Sequence, residues 1–395
     1  MTSHFGIEDP MHDRVVGSMV DHLSSNVLTE FDFVILASNE DIVCVENKLG
    51  INIKLVKPLF KSCMHALKEV QQPTAMNALT KVLLLLRGDN PMLFNKRKEL
   101  INANYASIKD ELYFTSVLFT KHPKSPSGWQ HRRWLLQQES RSIDLRNETA
   151  LCSHMADKYP KNYYAWMHRL WLLSHMIDDE LREELRFTST WLTTHVSDHS
   201  CMNHRQQIID RLLQNEKSVS GKLILLLSML EENKQSIVAR PGSETLWYHR
   251  RGLMTSLLLL YKTLPLISDD TNVDIETKLS LLVKGDEIAG THPIQQLLDT
   301  VDSPNQVSAL ACYTDIMLAE SQFTNNCVYN ESLWNDKQQK LYAWRYQLHM
   351  LQHAIRCMPS DLLLLRGVCE KCSRNIAQEL IKVDIFSRVW KVKML

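Results

Sequence analysis

The sequence predicts an all-α protein: a right-handed α–α superhelix (solenoid) of helix-pair repeats, with a small β-rich segment at the N-terminus. Three observations carry this. The tetrad Trp-x-His-Arg occurs at Trp129–Arg132, Trp166–Arg169 and Trp247–Arg250, where composition alone predicts roughly 0.02 copies. A helix-capping residue type stands four positions before every copy. Only 11 Gly and 12 Pro occur in 395 residues, too few turn formers for a β sandwich or barrel.

Residues 1–57 read as an N-terminal extension. Its first 30 residues show no clear pattern, and Phe31–Leu36, Ile42–Glu46 and Ile51–Leu55 are short β-rich runs. Asn39-Glu40 and Gly50 separate those runs, which suggests a short β meander. The repeats occupy 58–261, with helices over Pro58–Val70 and Met76–Arg87 leading into the first copy.

Two looser copies, Phe94–Arg97 and Met202–Arg205, complete a frame of five. The aromatic-slot positions 94, 129, 166, 202 and 247 lie 35, 37, 36 and 45 residues apart, a period typical of helix pairs. Asn90, Ser125, Asn162, Asp198 and Ser243 are the capping candidates. Apolar residues follow six and seven positions after each slot, so slots 0, +3, +6 and +7 share one buried stripe. The Arg at +3 lies in that stripe. It is expected to stack on the ring one turn back, with a carboxylate or carbonyl to satisfy its charge. Phe94, Arg97, Trp129, Arg132, Trp166, Arg169, Met202, Arg205, Trp247 and Arg250 thus read as residues that lock one repeat to the next. Amphipathic segments before the caps supply the first helix of each pair.

The regular spacing then fails. Residues 262–306, with Ser268-Asp269-Asp270 and Asp302-Ser303-Pro304, read as a partly mobile insertion. Residues 307–395 read as a degraded repeat with Asn330, Trp334 and Lys337 in the frame, closed by capping helices.

Lys+Arg and Asp+Glu balance at 45 each, which argues against a nucleic-acid binder. The nine cysteines are scattered and odd in number, as expected of reduced thiols. The opening Met1-Thr2-Ser3-His4 has no secretory pattern, and the closing Val392-Lys393-Met394-Leu395 has no prenylatable cysteine. Apolar runs such as Leu223–Leu230 fall short of the ~18 residues of a membrane span. A soluble, cytoplasmic chain is expected. Cys369-Glu-Lys-Cys372 is a lone CxxC without a second pair. No phosphate loop, HExxH or serine elbow is present, so no metal, cofactor or self-sufficient active site is expected in this chain.

The run Pro160-Lys161-Asn162-Tyr163-Tyr164-Ala165-Trp166-Met167-His168-Arg169 resembles the repeat of protein prenyltransferase alpha subunits. Lys121-His122-Pro123-Lys124 with Trp129-Gln130-His131-Arg132-Arg133-Trp134 resembles the same motif, and the likeness spans roughly 76–350. The resemblance implies a crescent of antiparallel helix pairs wrapped around a beta subunit that holds a catalytic zinc, the isoprenoid cavity and most of the peptide site. The alpha subunit then supplies polar groups near the lipid diphosphate and the protein substrate. By repeat order, the family's diphosphate-side lysine matches Lys124, and its Tyr–His pair falls on Tyr163 and Tyr164. Tyr163 fits that pattern; Tyr164 departs from it, as does Pro126, where the family usually has Tyr.

Independently of that likeness, Lys124 and Lys161 stand just before helix caps, where two positive helix ends side by side would suit an anion such as a diphosphate. The expected function is a non-catalytic alpha-type subunit of a heterodimeric protein prenyltransferase that attaches a geranylgeranyl or farnesyl group to protein cysteine. The alternative is a helical-repeat scaffold that binds peptides or proteins and takes no part in lipid transfer.

Overall fold

The computed structural model describes residues 4–36, 40–138, 143–262, 309–329, 337–357 and 370–378. The chain divides into two compact units, Met1–Ile177 and Asp178–Leu395.

In the first unit, α1 (Pro10–Ser24) begins on the Asp9 cap and buries Val15, Val16, Met19 and Leu23. It lies in the stretch where the sequence suggests no pattern; the i, i+4 apolar spacing is there, but it is diluted by polar neighbours. Strands β1 (Glu30–Val34), β2 (Ile42–Val45) and β3 (Lys48–Asn52) follow. They do not form a meander: β3 is central, parallel to β1 and antiparallel to β2. The tight turn falls at Glu46 and Asn47, both left-handed (φ 48° and 61°), and not at Gly50. Gly50 lies inside β3 because a Cβ there would meet the Val34 and Val43 side chains at 2.9–3.0 Å.

Helix α2 (Ile53–Glu69) starts on the Asn52 cap, earlier than the sequence suggests. Three antiparallel pairs then follow: α3 (Pro73–Leu86) with α4 (Pro91–Asn102), α5 (Ile108–Lys121) with α6 (Pro126–Gln138), and α7 (Leu145–Lys158) with α8 (Tyr163–Leu172). First helices pack on first helices (α3 on α5, α5 on α7) and second on second (α4 on α6, α6 on α8). This nearest-neighbour stacking defines a helical repeat. Leu79, Leu83, Leu93, Phe94, Phe114 and Leu118 belong to one continuous core with α1 and the sheet. In the second unit, α9 (Asp178–Thr194) pairs with α10 (His199–Asn215) and α11 (Val219–Ala239) with α12 (Glu244–Lys262). Helix α13 (Ala309–Tyr329) pairs with α14 (Lys337–Cys357), and α10, α12 and α14 stack in turn.

Four of the five caps form. Asn90, Ser125, Asn162 and Asp198 accept hydrogen bonds from backbone N–H groups two or three residues on. Ser243 does not: its hydroxyl is buried with no hydrogen-bond partner among the described residues, and nothing in the structure explains that. Residues 263–306, Asn330, Trp334 and Cys369 lie outside the described residues. Helix α14 nevertheless carries the frame ten residues later than the sequence suggests, with buried Trp344 in the aromatic slot, Tyr346 in the His slot and Gln347 in the Arg slot. Met350 and Leu351, six and seven residues on, are buried as the frame requires.

Candidate functional site

Five buried arginines, one per repeat, form the rungs of a ladder, each fastening its helix to the first helix of its pair. Each one donates from Nη1 to the carbonyl 20 residues upstream: Arg97 to Asn77, Arg132 to Leu112, Arg169 to Thr149, Arg205 to Leu185 and Arg250 to Leu230, at 2.7–3.2 Å. These carbonyls lie in the first helix of the same pair, and four of the five also accept from a nearby hydroxyl, of Thr80, Thr115, Ser153 and Thr188. The remaining guanidinium N–H groups reach forward. Arg97 grips Glu111, Arg132 grips Glu148 and Arg250 grips Glu320, each through Nε and Nη2. His131, His168 and His204 close the other side, bonding through Nε2 to Glu111, Glu148 and Glu184 at 2.6–3.0 Å.

Glu111 and Glu148 thus each tie one repeat's arginine to the next repeat's histidine. Burial raises the pKa of Glu111 and Glu148, but Arg97 or Arg132 and the histidine hydrogen bonds outweigh it. Glu111 is held well below the usual carboxylate range and Glu148 at about 2. Burial lowers His168 despite Glu148, so its neutral ring donates Nε2–H to that carboxylate. In the sixth repeat Tyr346 replaces the histidine and donates its hydroxyl proton to Glu320 at 2.6 Å. Gln347 stands in for the arginine, donating to Ser321.

Arginine stacking differs from the sequence expectation. The Arg97 and Arg250 guanidiniums lie over Phe114 and Phe323, 5.3 and 4.5 Å from the ring centroids, both on the first helix of the following pair. Reaching forward to the glutamate carries the guanidinium past its own slot's ring. That ring packs elsewhere: Trp129 stacks on Phe119 at 4.0 Å and donates Nε1–H to the Pro123 carbonyl. The ten frame residues are all buried.

The fifth repeat breaks the ladder. Met229 stands where the glutamate would be, and Arg205 pairs instead with Glu232 at 2.7 Å. Among the described residues neither ring nitrogen of His249 finds a hydrogen-bond partner. Burial, and then the charges of Arg205 and Arg250, push its pKa down to about 3.

The candidate ligand-facing residues sit on the turns between paired helices. Lys124 is exposed and donates from Nζ to the Pro160 carbonyl at 3.2 Å, so it spans to the turn of the next repeat. Lys161, in that turn, is exposed and left-handed (φ 61°). Tyr163 opens α8 with its side chain exposed, and its ring meets the half-buried Tyr164 at 5.8 Å, edge to face. The four residues therefore gather around one segment, 160–164. The N-terminal sheet borders the same edge: Phe31 N–H donates to Thr120 Oγ1 at 2.9 Å, Lys121 pairs with Asp32, and Lys158 with Glu30.

Beside them runs a strip missed by the sequence reading: slots +1, +4 and +5 of α4, α6 and α8, which the buried stripe leaves open. It carries Lys98, Arg133, Trp134, Met167, Leu170 and Trp171, all half-buried. Among the described residues no cluster of three or more His, Cys, Asp or Glu could hold a metal ion, and no helix is long and apolar enough to cross a membrane.

Stacked helix pairs with a capped, Trp/Arg-bearing second helix define the class: a helical-repeat protein of the prenyltransferase alpha type. The family model described as protein prenyltransferase alpha subunit repeat matches residues 108–139, 145–176 and 181–212, the pairs α5–α6, α7–α8 and α9–α10. The chain is 31% identical over 267 residues to protein prenyltransferase alpha subunit repeat-containing protein 1 of Danio rerio, covering 53% of this chain and 63% of that protein. Its likeness to the Homo sapiens protein of that name is 32% over 271 residues, covering 53% and 67%. The chain spans about two thirds of the length of these relatives. A more distant relative is geranylgeranyl transferase type-2 subunit alpha of Rattus norvegicus, 25% identical over 212 residues, 50% of this chain and 37% of that one. The chain belongs to the protein prenyltransferase alpha subunit repeat family.

Proposed function

We propose that this chain is a non-catalytic alpha-type subunit of a heterodimeric protein prenyltransferase. It pairs with a zinc-containing beta subunit that attaches an isoprenoid, geranylgeranyl or farnesyl, to protein cysteine, and it works in the cytoplasm. The carrying observation is that the family-matched repeats span the stretch where Lys124, Lys161, Tyr163 and Tyr164 gather at the 160–164 turn. In this reading the chain performs no bond-making step. Lys124 and Lys161 offer N–H donors and positive charge to a diphosphate at the shared interface, and Tyr163 offers an exposed phenol to lipid or peptide.

A scaffold without lipid transfer is the second reading, favoured by Lys124 already being bonded to Pro160 and by Tyr164 and Pro126 departing from the family pattern. Co-expression with candidate beta subunits, size exclusion and a prenyl-transfer assay separate the two. Transfer to a cysteine-bearing protein supports the subunit reading; a stable heterodimer with no transfer supports the scaffold.

A further inference from the structure

Arg133 follows ladder residue Arg132 directly, yet its surroundings are opposite in kind. Arg97, Arg132 and Arg250 each hold a glutamate through two N–H groups. Arg133 is half-buried, and its Nε–H is fully buried with no acceptor. Among the described residues it has no hydrogen bond and no ion pair. The other cations of its slot, +4, rest on rings: Lys98 lies 5.4 Å over Trp134 and Arg251 lies 4.4 Å over Tyr248. Among the described residues no ring lies beneath Arg133. A guanidinium taken partly out of water with no counter-ion costs stability, and burial lowers its pKa. Cys152 and Tyr163 are the groups nearest it electrostatically; neither is an Asp or Glu.

The strip around it is half-buried Trp134, Leu170 and Trp171, with exposed Tyr163 at its end. Tryptophan, tyrosine and arginine around an open apolar patch are the composition of an interface centre. A free phosphate would satisfy the charge but leave this apolar surface wet. A polypeptide would cover both.

We infer that Arg133 is the receptor for a carboxylate, an Asp or Glu side chain, presented by the partner polypeptide that covers α6 and α8. The inference rests on the accessory-subunit reading and names what the partner must bring. Two parallel N–H···O bonds from a planar guanidinium give the carboxylate a defined place, which an ammonium would not.

The test uses the full chain and, as probe, the beta subunit of a type-2 geranylgeranyl transferase. R133M and R133K are compared with wild type, and R132M serves as the structural control. R133M should melt at or above the wild-type temperature in the free chain, while R132M melts well below it. In the heterodimer R133M should raise Kd ten-fold or more, and R133K should recover part of the loss. Melting of R133M as low as R132M, or an unchanged Kd, overturns the proposal and leaves the accessory-subunit reading standing. A wild-type chain that does not bind that subunit overturns both.

Discussion

At the scale of single residues, Arg132 shows why the frame repeats with so little variation. Its Nη1 serves Leu112, Thr115 and Ser116, while Nε and Nη2 serve Glu148. A guanidinium this satisfied tolerates burial; a partial replacement would not. R132M should therefore cost about 3–5 kcal/mol in urea denaturation, because it leaves Glu148 buried without its cation. The double variant R132M/E148M should lose much less than the sum of the single variants, and simple additivity would contradict a direct coupling. Lys124 lies at the other extreme. K124A removes one exposed hydrogen bond, so its melting temperature should stay near wild type while use of a lipid diphosphate weakens in the heterodimer.

At the scale of elements, Glu111, Glu148 and Glu320 each fasten one helix pair to the pair before it, and the fifth pair lacks a glutamate at the matching position. M229E would place a glutamate 20 residues before His249, the offset that joins Glu111 to His131 and Glu148 to His168. It should raise the melting temperature by several degrees, and a drop would show that the gap around His249 cannot accept a carboxylate. W166A should cost ~3–5 kcal/mol through the cavity left behind, read by the same denaturation. Much of this was legible beforehand. Caps, buried stripe and pair boundaries follow from fixed offsets around the Trp slot. The glutamates of three repeats also stand at a fixed offset, 18 residues before the slot, but on first helices whose mixed polar faces hide one buried acid among exposed ones. Ser243 misled because local pattern cannot report whether a cap's hydroxyl finds its backbone partner. The three strands were foreseen but their order was not, because two left-handed residues, Glu46 and Asn47, made the turn that Gly50 seemed to offer. The strip bearing Arg133 was invisible, since exposure on a repeat is decided by which faces the neighbours leave uncovered.

At the scale of the molecule, the ladder predicts acid sensitivity of one sign. His249 is held neutral down to about pH 3, whereas in the unfolded chain it takes a proton below about 6.5. The unfolded state therefore binds more protons in that window, and stability falls as pH drops through it. Glu148, with its pKa at about 2, and Glu111, lower still, add a second loss as pH drops below about 4.5, where the unfolded carboxyls begin to protonate. Melting temperature should decline from pH 7 to pH 4, and H249L should make the upper part of that decline shallower, His168 supplying a share of the same sign. A flat profile would mean that these groups titrate alike folded and unfolded.

Function at this scale rests on one claim: buried charges lock the helix pairs together and leave the second-helix strip open for another polypeptide. Hydroxyl-radical footprinting of the chain alone and with a beta-type subunit tests it most directly. The account predicts that oxidation of Trp134, Tyr163 and Trp171 falls on complex formation, while the half-buried Met11 of α1 stays as reactive as in the free chain. Unchanged oxidation of those three aromatics in a demonstrated complex would contradict it.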